Sequence, residues 1–248
     1  MVGNSRRPRG AIPSSRHVLA KATPHRVTVG VPAQFGVIPS KISYWGNDQY
    51  GNCTVAEEAY AKACYYPEIF VPDQTVIDWG EANGFNHGAS LTDVMDAMAE
   101  AGFPMPPQVW GDGAYTLVDY TNPDNLQSAI CQGPVKIGLA ADALEDCVGT
   151  ASGWLLTNAP KDSNEDHCTS ISGYGPMSWL ASQLGGALPP SVDGSQVGYL
   201  MFTWSTIGIV DWASVQNIVG EAWLRNPTTT GSRGVLLDPY AGRAESVD

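Results

Sequence analysis

One cysteine sits where a chain can make it reactive. In "WGNDQYGNCTVAEEAYAKACYY", residues 45–66, a glycine-rich turn runs into Cys53, and Cys53 opens an amphipathic helical stretch reaching about Tyr66. The first turn of a helix carries unpaired N–H groups and the positive end of the macrodipole, and both favour a thiolate. Cys53 is therefore either a nucleophile or a small buried residue at a helix start. A nucleophilic cysteine needs a base, and the chain has four histidines. His17 and His25 lie in an N-terminal arm, His87 in the loop "NGFNHGAS", and His167 in "NEDHCTSISGYG" at the mouth of a strand. A helix-borne cysteine facing a strand-borne histidine across two lobes is one way to build a thiolate–imidazolium pair.

The elements that must position this pair are legible in outline. Asn52 stands at the N-cap of the Cys53 helix, and Val55, Ala56, Ala59, Tyr60 and Ala63 keep helical spacing on one face. Further helices are expected over 72–83, over "SLTDVMDAMAEAG" (90–102), and over "NPDNLQSAICQG", with Asn122 as cap and Pro123 at the first helical position. Strands are expected at "PVKIGLA" (134–140), "CTSISGYG" (168–175) and "VGYLMFTWS" (197–205). A last helix is expected from about Trp212 to Leu224. Helices early and strands late predict an α+β chain. Residues 1–41 read as an extended, proline-rich arm, 42–226 as the folded domain and 227–248 as a polar tail.

The formal charge of −12 is unevenly placed. Residues 1–41 hold seven Lys or Arg and no acid, whereas the remainder nets −19. Such an arm wraps its own domain, grips an acidic protein neighbour or another copy, or serves as a propeptide. The acidic body disfavours nucleic acid. No apolar run is long enough to span a membrane, and no secretory signal is evident, so cytoplasmic synthesis is expected. Five cysteines at 53, 64, 131, 147 and 168 form no Cys-x-x-Cys pair. With no ligand cluster or nucleotide fingerprint either, no metal and no cofactor is expected. The acids of "DSNEDHC" fail the EF-hand pattern and read as a solvated loop.

Four segments in order resemble the papain-like cysteine peptidases. "NDQYGNC" is similar to the family's Gln-x-x-x-Gly-x-Cys segment, with Cys53 at the nucleophile and Gly51 two before it. "QGPVKIGLAADALEDC" (132–147) resembles the strand opening the family's barrel lobe. "DHCTSISGYG" (166–175) resembles Asp/Asn-His-Ala-Val-x-x-Val-Gly-Tyr-Gly, with His167 at the base, and "GYLMFTWSTIG" (198–208) resembles the strand that follows. "WGNDQYGNC" and "FTWS" are also similar to a divergent group of this family from bacteria and their phages.

The resemblance implies a two-lobed fold, in which a helical lobe with a central Cys-bearing helix packs on an antiparallel β-barrel-like lobe. It implies a cysteine peptidase or amidase acting on a peptide or protein, with Cys53 as nucleophile and His167 as base. Departures fall on the remaining positions. Asn47 stands where the family has its oxyanion glutamine, with Gln49 as the competing donor. Thr203 and Ser205 flank Trp204 where an orienting asparagine is expected, and Thr54 replaces an aromatic after the nucleophile. The rival expectation is a non-enzymatic structural or virion-associated protein on the same scaffold.

Overall fold

The computed structural model describes residues 6–27 and 30–230. In chain order its elements are β1 (Ala11–Ile12), α1 (Arg16–Lys21), β2 (Phe35–Gly36), α2 (Cys53–Ala63), α3 (Asp73–Ala82), β3 (Ala89–Ser90), α4 (Leu91–Glu100), β4 (Phe103–Met105), β5 (Gln108–Leu117) and α5 (Pro123–Ile130). They continue with β6 (Val135–Leu139), α6 (Asp142–Cys147), β7 (Leu155–Leu156), β8 (His167–Pro176), α7 (Met177–Gln183), β9 (Val197–Thr203), β10 (Thr206–Asp211), α8 (Trp212–Ile218) and β11 (Val219–Thr230).

The α+β class holds. One sheet runs β4-β5-β11-β6-β8-β9-β10-β7, with β2 paired to β8, and β1 pairs with β3 separately. The sheet stays open, so the barrel-like lobe is a sheet with two edges rather than a closed barrel.

Strand alternation places two large cores on opposite faces of the sheet, beside a smaller third cluster around Cys53. Along β9, Tyr199 and Met201 face a core with α5, α6 and α8, while Leu200 and Phe202 face one with α2, α3 and α4. Along β6, Val135, Ile137 and Leu139 join the first core. Lys136 therefore turns to the other face, toward α2.

That orientation explains a departure from the expected one-sided helix. All eleven residues of α2 are buried, Glu57, Glu58 and Lys62 included. A helix can bury charge only against matched charge. Lys136 Nζ lies 3.0 Å from Glu57 and 2.6 Å from Glu58, and it also donates to the Thr54 carbonyl at 2.7 Å. Arg225 of β11 reaches Glu57 at 2.6 Å, and Lys62 pairs with Asp112 of β5. Three acids thus meet three bases inside the molecule. The surrounding cations hold the Glu58 carboxyl far below its usual range, whereas burial raises that of Asp112.

Several local expectations are corrected. The arm is not wholly extended: α1 forms on the Ser15 cap, whose side chain accepts from Val18 N–H. Asn52 occupies the N-cap position of α2 as expected, but its side chain makes no capping bond: Nδ2 donates to the Trp45 carbonyl and Oδ1 takes no hydrogen bond. The helix expected over 212–224 stops at Ile218, and the chain continues as β11 between β5 and β6. In "VGEAWL" every residue but Gly220 is buried, as suits a strand covered on both faces, and its place between β5 and β6 decides. β11 runs past the boundary expected at 226, and the rest of the tail, 231–248, lies outside the described residues. The helices at 73–82, 91–100 and 123–130 and the strands at 135–139, 167–176 and 197–203 fall where periodicity put them.

Candidate active site

Cys53 is the first residue of α2, at the end of the turn Trp45–Asn52, and is 1% exposed. It packs with Ala11, Leu91, Met95, Cys168 and Trp223. Burial pushes its thiol up to about 11, against the opposing pull of the backbone N–H groups of Cys168, Gly10 and Thr54 and of the Lys136 charge. The sulfur therefore sits beside the backbone of the residue that follows His167.

His167 opens β8, paired with Leu139 of β6. Its Nε2 lies 2.8 Å from Thr203 Oγ1 at the end of β9, and its buried Nδ1 has no hydrogen-bond partner. The ring stacks on Trp204, with centroids 4.3 Å apart and planes 19° from parallel. Trp204 and Ser205 form the β9–β10 hairpin turn, both at positive φ (42° and 60°). A two-residue turn of this hand matches the strand twist but disfavours side chains at both positions. Its strain is thus spent at the residue that covers His167. Thr203, and not Ser205, reaches the imidazole.

The two expected amide donors differ. Asn47 is 3% exposed, and its Nδ2 donates to Tyr50 O at 3.0 Å and to Pro8 O at 3.5 Å. Gln49 is exposed.

The arm lies across this site. Pro8 O accepts from both Asn47 Nδ2 and Trp204 Nε1. The Arg7 guanidinium stands 5.0 Å above the Trp204 ring and donates to Val148 O at 2.7 Å. Arg9 meets Asp142, Glu145 and Asp166. Ala11 N–H donates to Asp166 O, and Gly10 O accepts from Ala89 N–H. Gly10 is pressed on Gly51 so closely that a Cβ would sit 1.8 Å from the Gly51 carbonyl oxygen. Only bare backbone passes this slot.

Burial and the charges of Arg9 and Arg7 push the imidazole of His167 down to about 3. Burial thus favours the neutral thiol of Cys53 and the neutral imidazole of His167, and no hydrogen bond joins the two side chains. The N-terminal segment 7–11 covers this region through its contacts with Asn47, Trp204, Asp166 and Gly51. No cluster of three or more His, Cys, Asp or Glu able to hold a metal occurs among the described residues.

The arm residues Arg7, Pro8 and Gly10 and the α6 acids Asp142 and Glu145 were not singled out by sequence reasoning. The signal available was the charge contrast between arm and body, which predicts that they meet but not where. His17, His25 and His87 belong to other regions. His25 is buried, with Nε2 3.4 Å from Ser128 Oγ, and anchors the arm on α5.

No protein-family model and no curated sequence matches the chain. Its fold is similar to solved cysteine proteases. Xylellain from Xylella fastidiosa aligns with TM-score 0.59 at 12% identity, over 89% of this chain and 97% of that one. Bromelain from Ananas comosus, in complex with the E64 inhibitor, gives 0.56 at 12%, over 79% and 99%. Digestive procathepsin L 3 of Tenebrio molitor gives 0.56 at 15%, over 82% and 73%.

Proposed function

The chain has the papain-like cysteine protease fold, and on that fold we propose a cysteine-dependent amide hydrolase held at rest by its own arm. One observation carries the reading: His167 Nε2 is tied to Thr203 while the buried Nδ1 is left unpartnered. If Nε2 carries the proton and donates to Thr203, Nδ1 presents its lone pair and can take the thiol proton of Cys53.

Once the arm leaves, the sulfur attacks the amide carbonyl carbon as its proton passes to His167. The tetrahedral oxyanion takes hydrogen bonds from the Cys53 N–H and from the Asn47 amide, which the departing Pro8 carbonyl releases. The imidazolium gives its proton to the leaving nitrogen as the C–N bond breaks. Water, deprotonated by His167, then hydrolyses the thioester and frees the sulfur. Thr203 holds the ring but accepts no net charge, so it orients His167 more weakly than a carboxylate would.

Hydrolysis of a fluorogenic peptide set by full-length protein tests this reading, with Cys53→Ala and His167→Ala as controls. Turnover lost in both variants supports it. Turnover unaffected by either variant, or none from protein whose arm has been displaced, contradicts it.

A second reading, a non-catalytic protein on the same scaffold, is favoured by the filled cleft and the 1% exposure of Cys53. It predicts that Cys53 stays unreactive however the arm is altered.

A further inference from the structure

Asp142 and Glu145 of α6 and Asp166 at the start of β8 converge on one guanidinium. Arg9 Nη1 lies 2.6 Å from Asp142 Oδ1 and 2.6 Å from Asp166 Oδ2, and Nη2 lies 3.0 Å from Glu145 Oε1. Nε donates to the same Glu145 oxygen at 3.2 Å. The Arg9 side chain is 10% exposed there.

Of the three acids, Asp166 is fixed independently of the arm. Asp166 Oδ1 accepts from Ala141 N–H, and its own N–H donates to Leu139 O. Glu145 Oε1 also accepts from Arg7 N–H. With Arg9 withdrawn, three carboxylates face one space, and the remaining ion pair is that of the exposed Arg6 with Asp142 at 3.8 Å. Three carboxylates spread around a planar fork suit a guanidinium far better than an ammonium point charge.

The pocket also has a position relative to the chemistry. Asp166 precedes His167, and Arg9 precedes Gly10, whose N–H acts on the Cys53 sulfur. A side chain in this pocket therefore belongs to a residue next to the backbone at the sulfur.

We propose that Asp142, Glu145 and Asp166 form an arginine subsite, which selects an arginine side chain of an incoming peptide beside the group presented to Cys53. Arg9 is its internal occupant and must be displaced before a substrate binds. The inference rests on the hydrolase reading for its substrate, but its binding test does not.

The test uses full-length Arg9→Ala protein, which vacates the pocket and keeps the rest of the arm. Calorimetry compares N-acetyl-arginine methylamide with its citrulline and lysine counterparts. The arginine probe should bind at least tenfold tighter than either. Adding Asp142→Asn, or separately Glu145→Gln, to the Arg9→Ala protein should remove the preference while the melting transition remains cooperative. Equal affinity for arginine and citrulline, or no binding of arginine by folded Arg9→Ala protein, overturns the subsite. Arginine-selective binding without hydrolysis or Cys53 labelling supports the subsite and contradicts the hydrolase. Hydrolysis indifferent to arginine does the reverse.

Discussion

Gly10 of the arm and Gly51 before the α2 cysteine lie back to back, with the Gly51 carbonyl oxygen 1.8 Å from where a Gly10 side chain would begin. Two glycines 41 residues apart thus make one slot, through which the arm crosses above Cys53. Gly10→Ala should not fit. Overpacking of this kind costs on the order of 2 kcal/mol, enough to raise the arm-open population roughly thirtyfold. Iodoacetamide labelling of Cys53, read by mass spectrometry, should accelerate accordingly. Labelling unchanged from the parent would mean that the arm does not control access.

The arm arginines add to burial in holding the imidazole neutral. The His167 imidazole is pushed down to about 3 by burial and by Arg9 and Arg7, from an ordinary value of 6.5. Between those values the unfolded chain binds a proton that the folded one refuses. Stability therefore falls as pH drops from about 6.5 toward 3 and is fully present above 6.5. The groups acting on the ring are Arg9, Arg7, Trp204 and Thr203. Removing both guanidiniums in Arg7→Ala/Arg9→Ala leaves the acids in place and should move His167 upward. Two-dimensional NMR of the imidazole in parent and variant checks this. A titration midpoint that moves down, or not at all, would contradict the assigned cause.

Thr203 Oγ1 stands 2.8 Å from the imidazole Nε2, and Ser205 makes no such contact. Thr203→Val should reduce kcat by roughly tenfold, as for one lost hydrogen bond, with KM little changed. Thr203→Ser should restore most of it, and Ser205→Ala should be neutral. Steady-state kinetics on arm-displaced Gly10→Ala protein distinguishes these outcomes. An equal loss in Ser205→Ala would reassign the role.

The buried charges of α2 form a closed set, so breaking one pair should be costly. Lys136→Met leaves Glu57 and Glu58 with Arg225 and Lys62 alone to balance them and should destabilise the fold by about 3 kcal/mol. Urea unfolding measures the change. A loss under about 1 kcal/mol would mean that water reaches the network.

Much of this was legible in the sequence, for specific reasons. Cys53, His167 and Thr203 sit on elements with strong local signals, a glycine turn into a helix, a strand alternating polar and small apolar residues and a long apolar strand, both strands buried almost throughout. β11 was misread because "VQNIVGEAWL" carries apolar residues at helical spacing, and only its slot between β5 and β6 makes it a strand. The burial of Glu57, Glu58 and Lys62 was hidden because local pattern assigns charges to solvent, and their partners Lys136, Asp112 and Arg225 are 50 to 168 residues away. The basic arm was visible as charge. Its path over Cys53 depends on two single glycines, which no periodicity marks.

The central claim is that Cys53 is a nucleophile kept latent by the arm. Full-length Gly10→Ala protein treated with a peptidyl epoxide, followed by peptide mapping, tests it most directly. The account predicts one stoichiometric adduct on Cys53, absent from His167→Ala/Gly10→Ala, with peptide hydrolysis lost in step. An adduct on Cys131 or Cys147 instead, or an unmodified Cys53 in folded Gly10→Ala protein, would contradict it.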